Sequence, residues 1–416
     1  MKALVVGGGI AGPVAAMTLQ QMGIEARVTE AYPRGDGEIG SYFTITPNGL
    51  DALASISASH CAVESGFATR RNVMCNGAGK VLGELPLGKP LADGTPALTM
   101  KRSRLASRLV EEAERRGIAV DHGRRLTGAI SVGNQIKADY ADGATERADV
   151  LIGADGVHSV VRRLIDNDAP QGRYVGLTNF GGITPGGAVA VELEAEAWRF
   201  WFGRHAFFGA HPTPSGDVVW FVNAPRPEIT QEERASTTNE QWQAKLAAMF
   251  DDDDSPAGDL IRAGRLELAA DNTYDLRHVP VWFRDGMIVI GDAAHAPAPS
   301  SGQGASMALE DAVLLGRFLG NAERIGSTTD AAFAAYEAAR RSRVERVVAQ
   351  GARSSSSKTP GPIGSAVRDV MLRLVFRYAV TEKTLSWMYD YRVGDQQVGS
   401  IPRETPPIEE LKAGQL

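Results

Sequence analysis

The stretch Lys2-Ala3-Leu4-Val5-Val6-Gly7-Gly8-Gly9-Ile10-Ala11-Gly12 decides the fold. Ala3 to Val6 form a short apolar run of the kind used by a buried parallel strand. Gly7, Gly9 and Gly12 satisfy G-x-G-x-x-G, and Pro13 to Met22 continue as an apolar helix ending at Gly23. Ile24 to Thr29 predict a second strand, closed by Glu30, which stands 18 positions after Gly12. Strand, glycines, helix, strand and acid in that order predict a dinucleotide-binding βαβ unit. Gly7 permits the tight turn, Gly9 lets backbone approach a pyrophosphate, and Gly12 lets the helix lie close to the strand. The helix N-terminus offers unpaired N–H groups to phosphate. Glu30 can accept hydrogen bonds from a ribose.

Composition frames this unit. A chain of 416 residues is too long for one compact core, so two domains are expected. With 43% hydrophobic and 23% charged residues it is neither disordered nor fibrous. A net charge of −6 leaves no surplus of cations for nucleic acid as the main partner. Cys61 and Cys75 cannot form a disulfide framework or a four-thiolate metal site, and they suit a reducing, cytoplasmic location. The first residues have no signal-peptide character. No apolar stretch is long enough to span a membrane, and membrane association through the C-terminal helix is only a minor alternative.

Two later motifs bear on the ligand. Ala148 to Arg162 read ADVLIGADGVHSVVR, a strand, a turn with Asp155 at its tip, and a helix from Ser159. Met287 to Ala312 read MIVIGDAAHAPAPSSGQGASMALEDA, a strand with Asp292 at its end, a loop, and a helix from about Ala305. Singly, Asp155 can be a turn former and Asp292 a cap. Together with the first unit they describe a site for an extended ligand of the shape of FAD.

In these three motifs the chain resembles the flavoprotein aromatic monooxygenases of the para-hydroxybenzoate hydroxylase type, over roughly residues 1 to 350. The resemblance implies an α/β architecture: a Rossmann-type FAD-binding domain, an inserted antiparallel β-sheet substrate domain, and C-terminal helices. The expected boundaries are 1–172 with 282–350 for FAD (including a small substrate-side part around 40–100), 173–281 for substrate, and 351–416 for the C-terminal segment. It implies that Gly7, Gly9 and Gly12 bind the pyrophosphate, Glu30 the adenosine ribose and Asp292 the ribityl chain. Arg102 would approach the pyrophosphate and ribityl portion, with Arg104 as a rival and a surface cation as the plain alternative. Asp155 would lie near FAD and the path of the nicotinamide donor. Gly302, Gln303, Gly304 and Ala305 would face the flavin pyrimidine edge, where a helix N-terminus favours the reduced, anionic ring. Ser306 departs from the family, many members of which have Asn there.

The middle segment, Arg173 to Val281, carries alternating runs at Val189–Leu193, Trp198–Phe202, Ala206–Ala210 and Val218–Val222, separated by turn signals. These predict an antiparallel sheet. Phe180, Phe200, Phe202, Phe208 and Trp220 are the candidate pocket lining, against the plain alternative that each packs under a helix. His211 is the candidate base for a phenolic substrate, and Arg204 a candidate partner for an anionic one; structural and surface roles are the competing readings. His295 reads as holding its turn. No metal-ligand spacing is present.

The activity implied is an FAD-dependent monooxygenase taking NAD(P)H and dioxygen and hydroxylating an aromatic or polyketide-like small molecule through a flavin hydroperoxide, in a dry chamber. Alternatives are an epoxidase or Baeyer–Villiger oxygenase on the same scaffold, a flavin halogenase, and a non-enzymatic flavin protein. A monomer or homodimer is expected. Pro225–Glu240 reads as a loop, Gln241–Phe250 as a helix, Asp251–Asp254 as a solvated helix end or loop, and Asp330–Gln350 as a helix. Ala352–Pro362 reads as a break, Ile363–Tyr391 as renewed helix, and the final residues as an unstructured end.

Overall fold

The computed structural model describes residues 1–35, 40–356, 369, 371–376 and 380–396. Its first sheet is built on β1 (Lys2–Val6), every residue of which after Lys2 is buried. β1 pairs in parallel with β2 (Glu25–Thr29) on one side and β12 (Val150–Gly153) on the other. Beyond them lie β8 (Ala119–Asp121), β19 (Met287–Val289) and β18 (Phe283–Arg284), in the order β18-β19-β12-β1-β2-β8. Strands that are nearly continuous in Val, Ile and Leu suit a sheet covered on both faces. Register sets Val6 beside Gly153, and Gly153 beside Val289. Three segments far apart in the chain therefore end side by side, where a doubly wound sheet binds its ligands.

Among the described residues the sheets are accompanied by helices α1 (Ala11–Gln21), α2 (Pro47–Ala54), α3 (Ser59–Val63), α4 (Arg102–Arg115), α5 (Val160–Ile165), α6 (Gln231–Ser236), α7 (Asn239–Ala248), α8 (Ala257–Ala263), α9 (Gly304–Ile325) and α10 (Thr329–Ser356). A further helix covers Glu382–Tyr389. None is long and apolar enough to cross a membrane among the described residues.

The second large sheet has seven strands in the order β17-β13-β16-β15-β14-β5-β6. These are β17 (Arg265–Asp275), β13 (Arg173–Thr184), β16 (Val218–Pro225), β15 (Phe207–Pro212), β14 (Ala197–Phe202), β5 (Arg71–Asn76) and β6 (Val81–Pro86). All neighbours are antiparallel except β14 and β5. Two small sheets complete the fold, β3 (Tyr42–Ile45) with β7 (Leu98–Lys101) and β4 (Gly66–Ala68), and the meander β9 (Leu126–Val132), β10 (Gln135–Tyr140), β11 (Thr145–Ala148).

Side chains alternate along a strand, so the seven-stranded sheet has two distinct faces. One face carries Phe180, Trp201, Phe208, Trp220 and Val222, sealed under Trp242, Leu246 and Phe250 of the α7 segment and Leu260 and Ile261 of α8. The other carries Phe200, Phe202, Phe207, Phe221 and Met74, against which Leu372 and Phe376 of the C-terminal segment pack.

Several sequence expectations are corrected here. Val189–Leu193 is not a strand; Val189, Val191 and Leu193 lie over the α7/α8 core without a ladder partner, so their alternation reflects half-burial alone. The polar run Pro225–Glu240 holds a short helix, α6, because Thr230 caps it by accepting from Glu233 N–H. α7 begins two residues earlier than expected, since Thr238 and Gln241 form a capping box. α10 runs on to Ser356, so the first part of the break expected over Ala352–Pro362 is helical, and its remainder lies outside the described residues. Within the second C-terminal helical pattern, Met371, Leu374 and Val375 are helical, while Val367, Val370 and Tyr378 lie outside the described residues, as does the tail.

The face assignment is testable at two adjacent glycines of β13. A Cβ on Gly182 would collide with the Trp220 ring and the Arg265 carbonyl, whereas one on Gly181 would meet only Trp220 O at 3.6 Å and Leu268 Cβ at 3.7 Å. Gly182→Ala should lose about 1–3 kcal/mol in urea unfolding through overpacking. Gly181→Ala should stay within about 0.5 kcal/mol of wild type. Equal losses at both positions would contradict the two-faced arrangement.

Candidate functional site

The glycine turn after β1 is tight for reasons the atoms make explicit. Gly7 has φ of +114°, and a Cβ on it or on Gly12 would collide with backbone, at Ala154 O and Gly7 O respectively. Gly9 differs, because nothing lies within 4 Å of where its Cβ would stand. That space is a cradle at the N-terminus of α1, which has neither a side-chain cap nor an acid in its first turn. Its first N–H groups are left for a ligand, and an anion is the chemistry they favour. Glu30, at the end of β2, accepts from Gly8 N–H at 2.6 Å and Tyr32 N–H at 2.9 Å, which orients a half-buried carboxylate toward the turn.

β19 leads into a 3₁₀ turn, Gly291–Ala293, with Asp292 half-buried. The Asp292 Oδ1 atom lies 3.8 Å from where a Cβ on Gly304 would stand, so the carboxylate sits at the first turn of α9. α9 also starts with no side-chain cap and no acid. Gly302 takes φ of +61° and is exposed, Gly304 and Ala305 are half-buried, and Gln303 is fully buried. The Gln303 side chain faces inward: Nε2 donates to Thr46 Oγ1 at 2.9 Å and Oε1 accepts from Asn48 Nδ2 at 3.0 Å. Ser306, the departure from the family pattern, bonds Thr46 Oγ1 at 2.9 Å. It therefore joins α9 to α2 instead of facing the open side of the loop.

Asp155 is occupied by its own loop. Ser159 Oγ donates to one carboxylate oxygen, and the N–H groups of Val160 and Val161 donate to the other at 2.7 and 3.1 Å. Burial pushes this carboxyl up, and the Ser159 and backbone donors pull it back. Asp155 thus caps α5 and fixes the loop whose Ala154 carbonyl abuts Gly7. Arg102 and Arg104 are both exposed on the first turn of α4, so the structure leaves that rivalry open.

His211 lies on β15, not after a strand, and is buried. Its Nδ1 bonds the Pro212 carbonyl at 2.7 Å, which can only accept, so Nδ1 carries the proton. Nε2 then accepts from Thr69 Oγ1 at 3.0 Å, Thr69 from Thr99 at 2.7 Å, and Thr99 from Thr44 at 2.8 Å and Trp198 Nε1 at 3.0 Å. A ring with both nitrogens so engaged ties β15 to β4, β7 and β3. It is not placed as a general base. Arg204 is exposed at the β14–β15 turn, its N–H bonded to Asp253 at 3.1 Å. His295 is buried and bonded to Asp311 at 2.5 Å, holding its turn.

The five aromatic pocket candidates divide between the two faces. Phe180, Phe208 and Trp220 are buried beneath α7 and α8, away from the cleft. Phe200 and Phe202 lie on the other face with Phe207, Phe221 and Met74, and of these Phe200, Phe221 and Met74 are half-buried. Trp198, on that face, bonds Thr44 at 3.2 Å, and Thr44 stands two residues, about 7 Å, before Thr46 beneath the α9 loop. Trp198 thus links the aromatic face, through Thr44 and the adjoining Thr46, to the glycine loop of α9. Phe207, Phe221 and Met74 were not singled out from sequence, although counting parity outward from Trp198 reaches them.

Sequence reading also passed over a buried ionic cluster behind the loop. Glu310 and Asp311 of α9 and Arg340 of α10 are fully buried. Arg340 meets Glu310 and Asp311 at 2.7 Å each, Arg343 holds Glu310 at 2.8 and 2.9 Å, and Asn48 donates to Glu310 at 2.7 Å. Burial works to raise both carboxyls, but Arg340, with Arg343 and His295, holds them below their usual range. The signal available was an acidic pair inside the apolar run MALEDAVLL. Among the described residues no group of His, Cys, Asp and Glu forms a metal site.

A family model described as FAD binding domain matches residues 1–351. The FAD-dependent urate hydroxylase of Klebsiella pneumoniae is 28% identical over 362 residues, covering 84% of this chain and 88% of that protein. Aurachin C monooxygenase/isomerase of Stigmatella aurantiaca is 25% identical over 392 residues, covering 92% and 97%. Among solved structures, Klebsiella pneumoniae HpxO complexed with FAD and uric acid superposes with a TM-score of 0.77 at 26% identity, covering 94% of this chain and 96% of that one.

Two outcomes check this geometry. Gly9→Val should leave the apoprotein's unfolding midpoint unchanged, since the space is open, while abolishing FAD binding measured by flavin fluorescence quenching. For His211, burial lowers the pKa from 6.5 to about 4, so the unfolded state binds the proton first as pH falls. Its contribution is complete above about pH 6.5 and lost progressively toward pH 4, on the order of 1–3 kcal/mol in all. His211→Gln should flatten the fall in urea stability across that window; an unchanged slope would mean the imidazole does not titrate as described.

Proposed function

This chain belongs to the FAD binding domain family and is an FAD-dependent monooxygenase; from that premise we propose that its substrate is a planar aromatic molecule, hydroxylated between the α9 loop and the aromatic face of the seven-stranded sheet. The observation that carries this is the pair of half-buried rings, Phe200 and Phe221, on the sheet face bordering the glycine loop. The activities of the relatives fit hydroxylation, and not the epoxidase, Baeyer–Villiger, halogenase or non-enzymatic alternatives.

We assign the pyrophosphate to the open cradle at Gly9 and the α1 N-terminus, a ribose to Glu30, and the ribityl chain to Asp292. Arg102 would add positive charge from α4. Bound FAD, reduced by NAD(P)H, supplies the oxygen-activating chemistry. The chain's own part is to bind, orient and keep dry. The uncapped N-terminus of α9 at Gly304 and Ala305 would turn its positive dipole toward the negative charge of a reduced flavin. Phe200, Phe207, Phe221 and Met74 exclude water from the substrate side. Asp155 acts through the loop that it caps. The FAD unit would comprise 1–172 and 282–350 and the substrate unit 173–281, with β5 and β6 joining the latter's sheet. Two free, buried cysteines suit a reducing cytoplasm.

The reading is tested with FAD-reconstituted protein, NADH or NADPH, and a panel of phenols, quinolones and polyketide-like aromatics under labelled dioxygen. An aromatic member should stimulate nicotinamide oxidation and gain one labelled oxygen atom, and Phe221→Ala should divert about tenfold more turnover to hydrogen peroxide by admitting water. Stimulated oxidation that yields only peroxide across the panel would refute the aromatic substrate.

A further inference from the structure

Strand β17 contains a strained residue at an informative place. Leu268 pairs with Gly181 and Asp271 with Asn179, so Ala269 and Ala270 together oppose the single residue Phe180. This is a β-bulge, and Ala270 adopts φ of +57°, a region that a Cβ disfavours. Ala270 is fully buried against the α7/α8 core, and Ala269 packs there too. Arg234 of α6 donates to the Ala270 carbonyl at 2.5 Å and pins the distortion.

The bulge changes which face the next side chain serves. An earlier register shift leaves Glu267 extra between Leu266, opposite Gly182, and Leu268, opposite Gly181, so that Leu268 faces the cleft; with alternation alone from there, Asp271 would fall on the sealed face. With both alanines turned into the core, Asp271 returns to the cleft face in register with Asn179, Asn223 and Phe207. A backbone outlier that re-aims one side chain beside a candidate active site motivates a functional reading.

What it aims is a carboxylate at the edge of the aromatic floor. Asp271 reaches solvent, yet protein rings it closely enough that burial pushes its carboxyl up, with Arg102 of α4 and Arg234 of α6 opposing that push. Beside it, Asn179 Oδ1 accepts from Asn223 Nδ2 at 3.1 Å, which leaves the Asn179 amide nitrogen as a donor. Next along the face, Gly181 leaves a flat space bordered by Phe221 and Leu268. A ring lying there would present one edge to an acceptor and a donor side by side.

We propose that Asp271, aimed by the Ala270 bulge and paired with Asn179, is the specificity-determining edge of the substrate site. It accepts a hydrogen bond from a ring N–H or phenolic O–H of the aromatic substrate. This rests on the aromatic-substrate reading above and narrows it to rings carrying such a donor.

The test uses FAD-loaded wild type, Asp271→Ala and Asp271→Asn with three probes: 2-quinolone (ring N–H), 2-naphthol (phenolic O–H) and naphthalene (neither). Dissociation constants are read from perturbation of the flavin visible spectrum, and FAD affinity separately by fluorescence. Asp271→Ala should weaken one or both donor-bearing probes by about tenfold or more, as loss of a charged hydrogen bond implies. Asp271→Asn should give a smaller loss, naphthalene should stay within about twofold, and FAD affinity should hold; which donor probe suffers separates N–H from O–H recognition. Equal weakening of all three probes together with weaker FAD binding would make Asp271 a support for Arg102 and overturn the proposal. No change for any probe would also overturn it. Failure of every probe to bind wild type would instead remove the aromatic-substrate reading, and this inference with it.

Discussion

Glu310 and Asp311, adjacent and fully buried inside α9, are the constraint around which the site is arranged. Two carboxylates out of water cost several kcal/mol each unless strong partners surround them. Arg340 and Arg343 come from α10, Asn48 from α2, and His295 with the Gly291 N–H from the turn that carries Asp292. Arg343 also donates to the carbonyls of Trp387 and Met388, so the C-terminal segment is drawn into the same cluster. No member can move without stranding a buried charge. The first turn of α9, with its open glycines, is therefore held from behind by a rigid frame, which is what a site that must position a large ligand requires.

Helix ends at the cleft are left without internal partners, while the carboxylates behind it are held by several. Ser159 caps α5 and Asp155 takes its N–H groups, whereas α1 and α9 begin with no cap and no acid. Helix N-termini of that kind are stabilised by an anion. Aimed at one cleft, two of them reinforce each other for an elongated polyanionic ligand. The glycines serve this in different ways. Gly12 closes the helix onto the turn, and Gly9 keeps the approach clear.

The FAD side of the molecule was legible in sequence because its signals are local. G-x-G-x-x-G, the acid ending β2 and the Gly-Asp ending β19 each follow from backbone needs of a few consecutive residues. The substrate side was legible only as alternation. Alternation shows that a strand has two faces and does not say which one meets the cleft, so Phe180 and Phe208 looked equivalent to Phe200. Val189–Leu193 shows the same weakness, since half-burial over a helical core imitates a strand without any ladder. β13 and β17 escaped notice for another reason: glycines and polar residues in Asn179–Gly182 and Asp271–Thr273 weaken the β pattern where the chain lines the cleft. His211 beside Pro212 read as a loop, and only Thr69 with Thr99 and Thr44 of other strands shows that it is an anchor.

Parity along β13 to β17 separates two kinds of work in one sheet. Side chains turned toward α7 and α8 contribute burial, and changes there are felt as stability. Side chains turned toward the cleft include the half-buried Phe200, Phe221 and Met74, and changes there bear on what binds and how dry it stays. The bulge at Ala270 offsets the earlier register shift at Glu267 and so keeps this separation along β17. It holds one carboxylate on the face that recognises, and the cost is one alanine in a disfavoured conformation. Such a cost persists where surrounding structure over-determines it, here through the core that buries Ala270 and the Arg234 hydrogen bond to its carbonyl. A sheet that needed only to be stable would have no use for it.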